Sequence, residues 1–326
     1  MLAKMRLNHL RLASIMTQYS EPKFTFALLH PKYWSIWLAV GCLALTVNLL
    51  PYFILLRLGR GLGFIVTKIA KSRVRVVLRN LQLAFPDMAD TERHNISEEN
   101  IKNTGLAIIE MGIAWFWPDW RFKKHIKITN NEEILALDKA GRGALIVAVH
   151  ALNLEITARA FTFFAPGYGV YRTHSNPAYN FIQHWGRTHH GNKMIDRKDV
   201  KGMLRVLKKG GRLWYLPDQD YGFEHAVFVP FFGVEEAATT SGTSVLVDAS
   251  KCAVITASGF RKGNTYTLEI DHDISEQFPR RDPEGAARVM NAALEKVILR
   301  GLDQWMWLHR RYKTMPDNKN RGIRYK

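Results

Sequence analysis

Cysteine is nearly missing from this chain. Cys42 and Cys252 are the only two in 326 residues. Cys42 lies in an apolar stretch, so a disulfide framework is not expected and a reducing compartment suits the protein. No CxxC pair and no Cys/His cluster occurs, which argues against a structural zinc site. No GxGxxG follows a strand and opens a helix, and no P-loop pattern is present, so the usual phosphate-cradling loops of nucleotide enzymes are absent. Internal repeats and low-complexity tracts are absent too. Acidic residues are scarce: 29 Asp and Glu stand against 46 Lys and Arg, for a net charge of +17. That excess points to an anionic partner, whether nucleic acid, a phospholipid surface, or an acidic protein or substrate. The apolar and charged fractions are those of a globular chain.

What the sequence does have is one long uncharged run, from Tyr33 to Leu56. As a single helix it would reach roughly 36 Å, more than the ~30 Å of a bilayer's hydrocarbon core. Tyr33, Trp34, Trp37, Tyr52 and Phe53 flank it as interfacial aromatics do. The run starts too far into the chain, and lacks the small-residue cleavage site, for a signal peptide. A buried core helix is the alternative, and Asn48 and Pro51 could kink the run or make it re-entrant. Arg57, Arg60, Lys68, Lys71, Arg73, Arg75 and Arg79 follow it, which favours a cytoplasmic position for the rest of the chain. The same cations would adhere to anionic headgroups. Residues 1–60 therefore read as a basic arm plus a membrane anchor spanning about 33–56. Gly59 to Gly63 should loosen the chain, and residues 61–326 form the second unit.

That unit opens with an amphipathic basic stretch to about Phe85-Pro86, followed by helical periodicity from Ser97 to Trp117. From about Lys127, strands and helices alternate, which predicts an α/β fold: a mixed, mostly parallel sheet flanked by helices. Glu132 to Ala140 reads as a helix, and Ala144 to Val149 as a buried strand after the turn-like Gly141-Arg142-Gly143. Tyr168 to Arg172 and Arg212 to Leu216 read as strands. Pro177 opens one helix, and Asp199 caps another that runs to Lys208. Thr239 to Ser250 reads as a helix rich in small residues. Ala253–Phe260 and Tyr266–Asp271 form a hairpin, and Asp282 starts a helix that runs to Arg300.

The strand at Ala144–Val149 ends abruptly in His150, with Glu155 five positions later in the next helix. On one continuous helix, residues five apart would point about 140° away from each other. A strand-turn-helix junction can instead fold the carboxylate back onto the imidazole, making a general base with an orienting partner. The plain alternative is a strand-end histidine bonded to a backbone carbonyl and a solvated glutamate. The carboxyl edge of an open α/β sheet is where ligands bind, and other polar residues fall beside it: Tyr171-Arg172, Arg187, Arg197 and Asp218. Recurrent arginines there suit phosphate, because the guanidinium fork matches two oxygens. The Thr239–Ser244 hydroxyls lack a GxSxG elbow. They read as helix packing, with a possible anion contact at the helix amino end. Gln304 to Lys313, where aromatics alternate with arginines, suits nucleic acid by stacking or a membrane interface, and the anchor favours the membrane.

The order and spacing of several motifs resemble the late acyltransferases of lipid A biosynthesis, of lauroyl- and myristoyl-transferring type, over nearly the whole chain. The motifs are Arg79-Asn80-Leu81 with Phe85-Pro86, Tyr171-Arg172, Trp214 to Gly222, Pro230 to Gly233, Ala238 to Thr240 and Trp307 to Lys313. His150-x4-Glu155 is shared with the wider glycerolipid acyltransferases. The resemblance implies a glycerolipid-acyltransferase-like fold. It implies fatty acyl transfer from acyl carrier protein to a hydroxyl of a Kdo-bearing lipid A precursor, at the cytoplasmic face of the inner membrane and in contact with its phospholipid. His150 and Glu155 become the catalytic pair, with Arg187 and Asp218 supporting activity. Arg172 and Arg197 join Arg187 as candidates for the glucosamine phosphates. No metal or other cofactor is required, since a thioester is already activated, and no nucleic acid is expected. Another membrane glycerolipid or glycolipid acyltransferase remains an alternative reading, as does a non-catalytic basic membrane-binding protein.

Overall fold

A computed structural model describes residues 21–317 and 320–326. The uncharged run is two helices, not one continuous span: α1 (Trp34–Leu49) and α2 (Tyr52–Ile69). Leu50 between them is extended, with φ −89° and ψ 145°, as the residue before a proline prefers to be. Among the described residues, one segment, Pro31–Leu49, is long and apolar enough to cross a membrane. Residue 60, where the sequence puts the boundary between anchor and domain, lies inside α2.

The glycines of α2 do not loosen it. They let it cross the long helix α4 (Asp90–Phe116), which follows α3 (Lys71–Ala84). A Cβ on Gly105 would lie 2.0 Å from the Gly63 nitrogen and 2.5 Å from the Gly59 oxygen. The two backbones therefore approach as only glycine permits. Farther along α4, Gly112 faces Leu43 and Val47 of α1. Helix α4 begins before the predicted Ser97, with Asp90 and Glu92 in its first turn, where carboxylates suit the helix dipole.

Seven strands form the sheet: β1 (Ile126–Thr129), β2 (Ala144–Val147), β3 (Tyr168–Tyr171), β4 (Lys193–Asp196), β5 (Arg212–Tyr215), β8 (Ala253–Lys262) and β9 (Thr265–Ile270). Their order is β1-β9-β8-β2-β5-β3-β4. Every pairing is parallel except β8 with β9. The fold is thus a mixed, mostly parallel sheet flanked by helices. Strand β2 is buried throughout, as a central strand covered on both faces must be. Its alternate residues feed two cores. Leu145 and Val147 join Leu81, Met203, Leu207, Met290 and Leu294 on one face. Ala144 and Ile146 join Val47, Leu55, Leu106, Ile109 and Phe161 on the other.

The remaining helices are α5 (Asp119–Lys123), α6 (Glu132–Lys139), α7 (Leu154–Phe161), α8 (Pro177–Thr188), α9 (Val200–Lys208), α10 (Gly242–Ser250) and α11 (Pro283–Leu299). The side chains of Asp199 and Asp282 accept from Gly202 N and Gly285 N, the N-cap bonds their positions call for. Four strands are absent from the sequence reading: β1, β4, and the pair β6 (Ala226–Phe231) and β7 (Val234–Thr240), which forms a separate antiparallel hairpin. Thr239 and Thr240, expected in a helix, finish β7, and α10 starts only at Gly242.

Candidate active site

The site lies at the carboxyl edge of β2 and β5. These neighbours run parallel in constant register, from Ala144 opposite Arg212 to Val147 opposite Tyr215. Carrying each chain three residues past its strand sets His150 beside Asp218. His150 Nδ1 is 2.6 Å from Asp218 Oδ1, and the His150 backbone N–H donates to Oδ2 at 2.7 Å. Because the carboxylate accepts, Nδ1 carries the ring proton and Nε2 is the basic nitrogen. Asp218 is fully buried. Burial alone would raise its pKa, but the charge of a protonated His150 and the donors around the carboxylate hold it below the ordinary value.

Glu155, expected to fold back onto the imidazole, does something else. It sits in the first turn of α7, where its Oε1 accepts from Arg187 Nε at 2.8 Å and Nη2 at 2.5 Å. Its Oε2 accepts from the Trp115 indole at 3.0 Å. The carboxylate bonded to His150 is Asp218. The physical reason is supply: α8 and α4 bring three donors to Glu155, while the register of β5 delivers Asp218 to the histidine. Burial works against the Arg187 charge, but the adjacent Glu155 raises its pKa above the usual value.

The carboxyl-terminal aromatics are also placed differently from the sequence reading. Trp305 and Trp307 are buried in the core, not laid on a membrane interface. The Trp305 indole donates to Asp218 Oδ2 at 2.6 Å. The next residue, Met306, donates its N–H to the His150 carbonyl at 3.0 Å. Carboxamides from α3 and α4 clamp this segment. Asn80 donates to the carbonyls of Trp307 and His309, and Asn100 to those of Asp303 and Trp305.

His150 opens onto a cavity of about 540 Å³, a size typical of small-molecule sites. Leu154, Val170, Met194, Met203, Trp214 and Leu246 make much of its wall apolar. Glu155, Arg187 and Arg197 line it as well, and Thr240, Ser241 and Gly242 bring the amino end of α10 to it. Asp218 stands behind His150 and does not line the cavity. Arg172 is exposed on the segment after β3 and is also outside the lining. Among the described residues, no group of three or more His, Cys, Asp or Glu is placed to hold a metal ion. The arrangement is suited to removing a proton from a hydroxyl beside an apolar tail, with cations near for anionic groups.

Comparison with known proteins places this geometry. The profile described as bacterial lipid A biosynthesis acyltransferase matches residues 21–314. A lipid A biosynthesis lauroyltransferase of Escherichia coli is 44% identical over 299 residues, covering 91% of this chain and 97% of that protein. A lipid A biosynthesis acyltransferase of Haemophilus influenzae is 41% identical, over 93% of this chain and 97% of its own. A lipid A biosynthesis palmitoleoyltransferase of Escherichia coli is 38% identical, over 91% and 97%. A solved 1-acyl-sn-glycerophosphate acyltransferase from Thermotoga maritima overlays 78% of this chain and 99% of its own at 12% identity, with a TM-score of 0.37. With a histidine bonded to a buried carboxylate at the rim of a mostly parallel sheet, a largely apolar cavity before it and relatives matched almost end to end, the chain is an acyltransferase that belongs to the bacterial lipid A biosynthesis acyltransferase family.

Proposed function

We propose that the protein transfers a fatty acyl chain from acyl carrier protein to a hydroxyl of a Kdo-bearing lipid A precursor. The observation that carries this reading is His150, hydrogen-bonded to Asp218 behind it and facing a largely apolar cavity. His150 Nε2 takes the hydroxyl proton as the oxygen attacks the thioester carbon. Asp218 holds the ring in the correct tautomer and stabilises the imidazolium. As the tetrahedral intermediate collapses, the C–S bond breaks and the imidazolium returns its proton to the departing thiolate. Glu155 acts through Arg187, presenting the guanidinium to the cavity rather than orienting the imidazole. Arg187 and Arg197 meet the glucosamine phosphates, with Arg172 on the adjoining loop. The excess positive charge steers the acidic carrier protein, an attraction that fades with salt.

The test is direct. Purified protein given radiolabelled acyl carrier protein should acylate a Kdo-bearing lipid A precursor and leave a lysoglycerophospholipid unmodified. Preferential transfer to the glycerolipid would overturn the assignment of acceptor.

The reading places the enzyme on the inner membrane with its site on the cytoplasmic side. What supports it is the outer face of α1, where Leu38, Leu45 and Leu49 are 69%, 63% and 75% exposed. Single exposed leucines are ordinary, but a row of them on a helix that could cross a bilayer calls for an apolar neighbour. Replacing all three by Asp should move the protein from the membrane pellet to the supernatant in fractionated cells. Full retention in the pellet would show that basic and aromatic surfaces suffice.

A further inference from the structure

We propose that Trp305 is a positioning residue for acyl transfer, its indole N–H fixing the carboxylate that steers the His150 imidazole. This rests on the reading of His150 and Asp218 as base and partner. Asp218 presents two oxygens and receives three donors. Oδ1 takes the His150 ring, while Oδ2 takes the His150 backbone N–H and the Trp305 indole at 2.7 and 2.6 Å. Without the indole, one main-chain N–H would hold Oδ2, and the carboxylate would be freer to turn about its terminal torsion.

Trp305 is itself firmly placed. It is 2% exposed, and its ring meets Phe231 and Trp307 edge-on at centroid separations of 6.0 and 4.5 Å. Its backbone pairs with Ala151 in an isolated antiparallel bridge, and its carbonyl accepts from Asn100 at 2.7 Å. One segment therefore grips both members of the pair: Trp305 holds the side chain of Asp218, and Met306 holds the carbonyl of His150. A tryptophan needed only for bulk has no use for a donor aimed at a buried carboxylate.

Few other charges complicate a test at this carboxylate. Arg311 is buried nearby, bonded to the Ala238 carbonyl and the Thr239 hydroxyl. Burial, and then the Asp218 charge, push the Tyr221 hydroxyl well above its ordinary pKa, so it stays protonated. His309, near His150, has its pKa pushed down to about 4, chiefly by burial, and is uncharged at neutral pH. Asp220 is engaged by Thr314.

The experiment compares Trp305→Phe with a protein carrying benzothienylalanine at the same position, a tryptophan isostere with sulfur in place of the N–H. Both remove the donor, and the isostere keeps the shape should Phe disturb folding. Each should lower kcat roughly 10- to 100-fold, the range of a lost hydrogen bond to a charged group, with KM unchanged for both substrates. The acid limb of kcat/KM should also move up, because a carboxylate short of one donor is more basic and holds a positive partner more tightly. Wild-type kcat with an unmoved acid limb in the isostere overturns the proposal. Asp218→Asn, measured alongside, separates the levels. If it is impaired while the isostere is not, only the role of Trp305 fails; if it matches wild type, the underlying pair fails as well.

Discussion

His150→Ala should reduce acyl transfer by about three orders of magnitude, within the span that general acid–base groups contribute. The protein should remain folded, because the Asp218 carboxylate keeps two of its donors, the backbone N–H of residue 150 and the Trp305 indole. The side chain itself is partly exposed toward the cavity, so its removal opens space where substrate already enters rather than a void in the core. Radiolabel transfer from acyl carrier protein measures the loss, and thermal unfolding checks the fold. Added imidazole should restore part of the rate by filling the vacated position. Activity within tenfold of wild type in a folded His150→Ala protein would reject the histidine as base.

The second large effect separates the two carboxylates of the site. Glu155→Ala and Arg187→Ala should each lower turnover by about two orders of magnitude, because either leaves its half-buried partner unpaired. The double variant should be hardly worse than either single one, since both remove the same unit. A double-mutant cycle would then give a coupling of nearly 3 kcal/mol between them, roughly the energy of one hundredfold loss. Additive losses would show that Glu155 and Arg187 act separately and would reopen a direct role for Glu155 at the imidazole.

The contrast between Glu155 and Asp218 marks the limit of what the chain discloses before it is folded. Sequence proximity makes Glu155 the natural partner of His150. Yet the strands β2 and β5, both recognisable from their short apolar runs, pair in a register that sets the histidine against a residue far along the chain. Asp218 was legible as a polar residue at the right edge; which strand lay next to β2 was not, because neighbourhood in a sheet is a matter of topology. The helices opened by Pro177, Asp199 and Asp282 were legible because their caps are local chemistry. The hairpin β6–β7 was not: its segments mix Pro230, adjacent glutamates and small residues, with no clean alternation to mark strands. The glycines of α2 misled in the opposite direction. Local propensity reads them as looseness, whereas Gly105 across the interface turns them into a close crossing. The aromatics after Gln304 look amphipathic in sequence, but they pack in the core while the carboxamides of Asn80 and Asn100 satisfy the buried backbone beside them.

The clamp on residues 303–309 also bears on how the enzyme comes into being. During synthesis, the helices at the start of the chain emerge first and can settle early. The strand bearing His150 follows, but the indole and main-chain donor that secure the site leave the ribosome long afterwards. On the membrane reading proposed above, a nascent chain can therefore meet the bilayer while its chemistry is still unarmed.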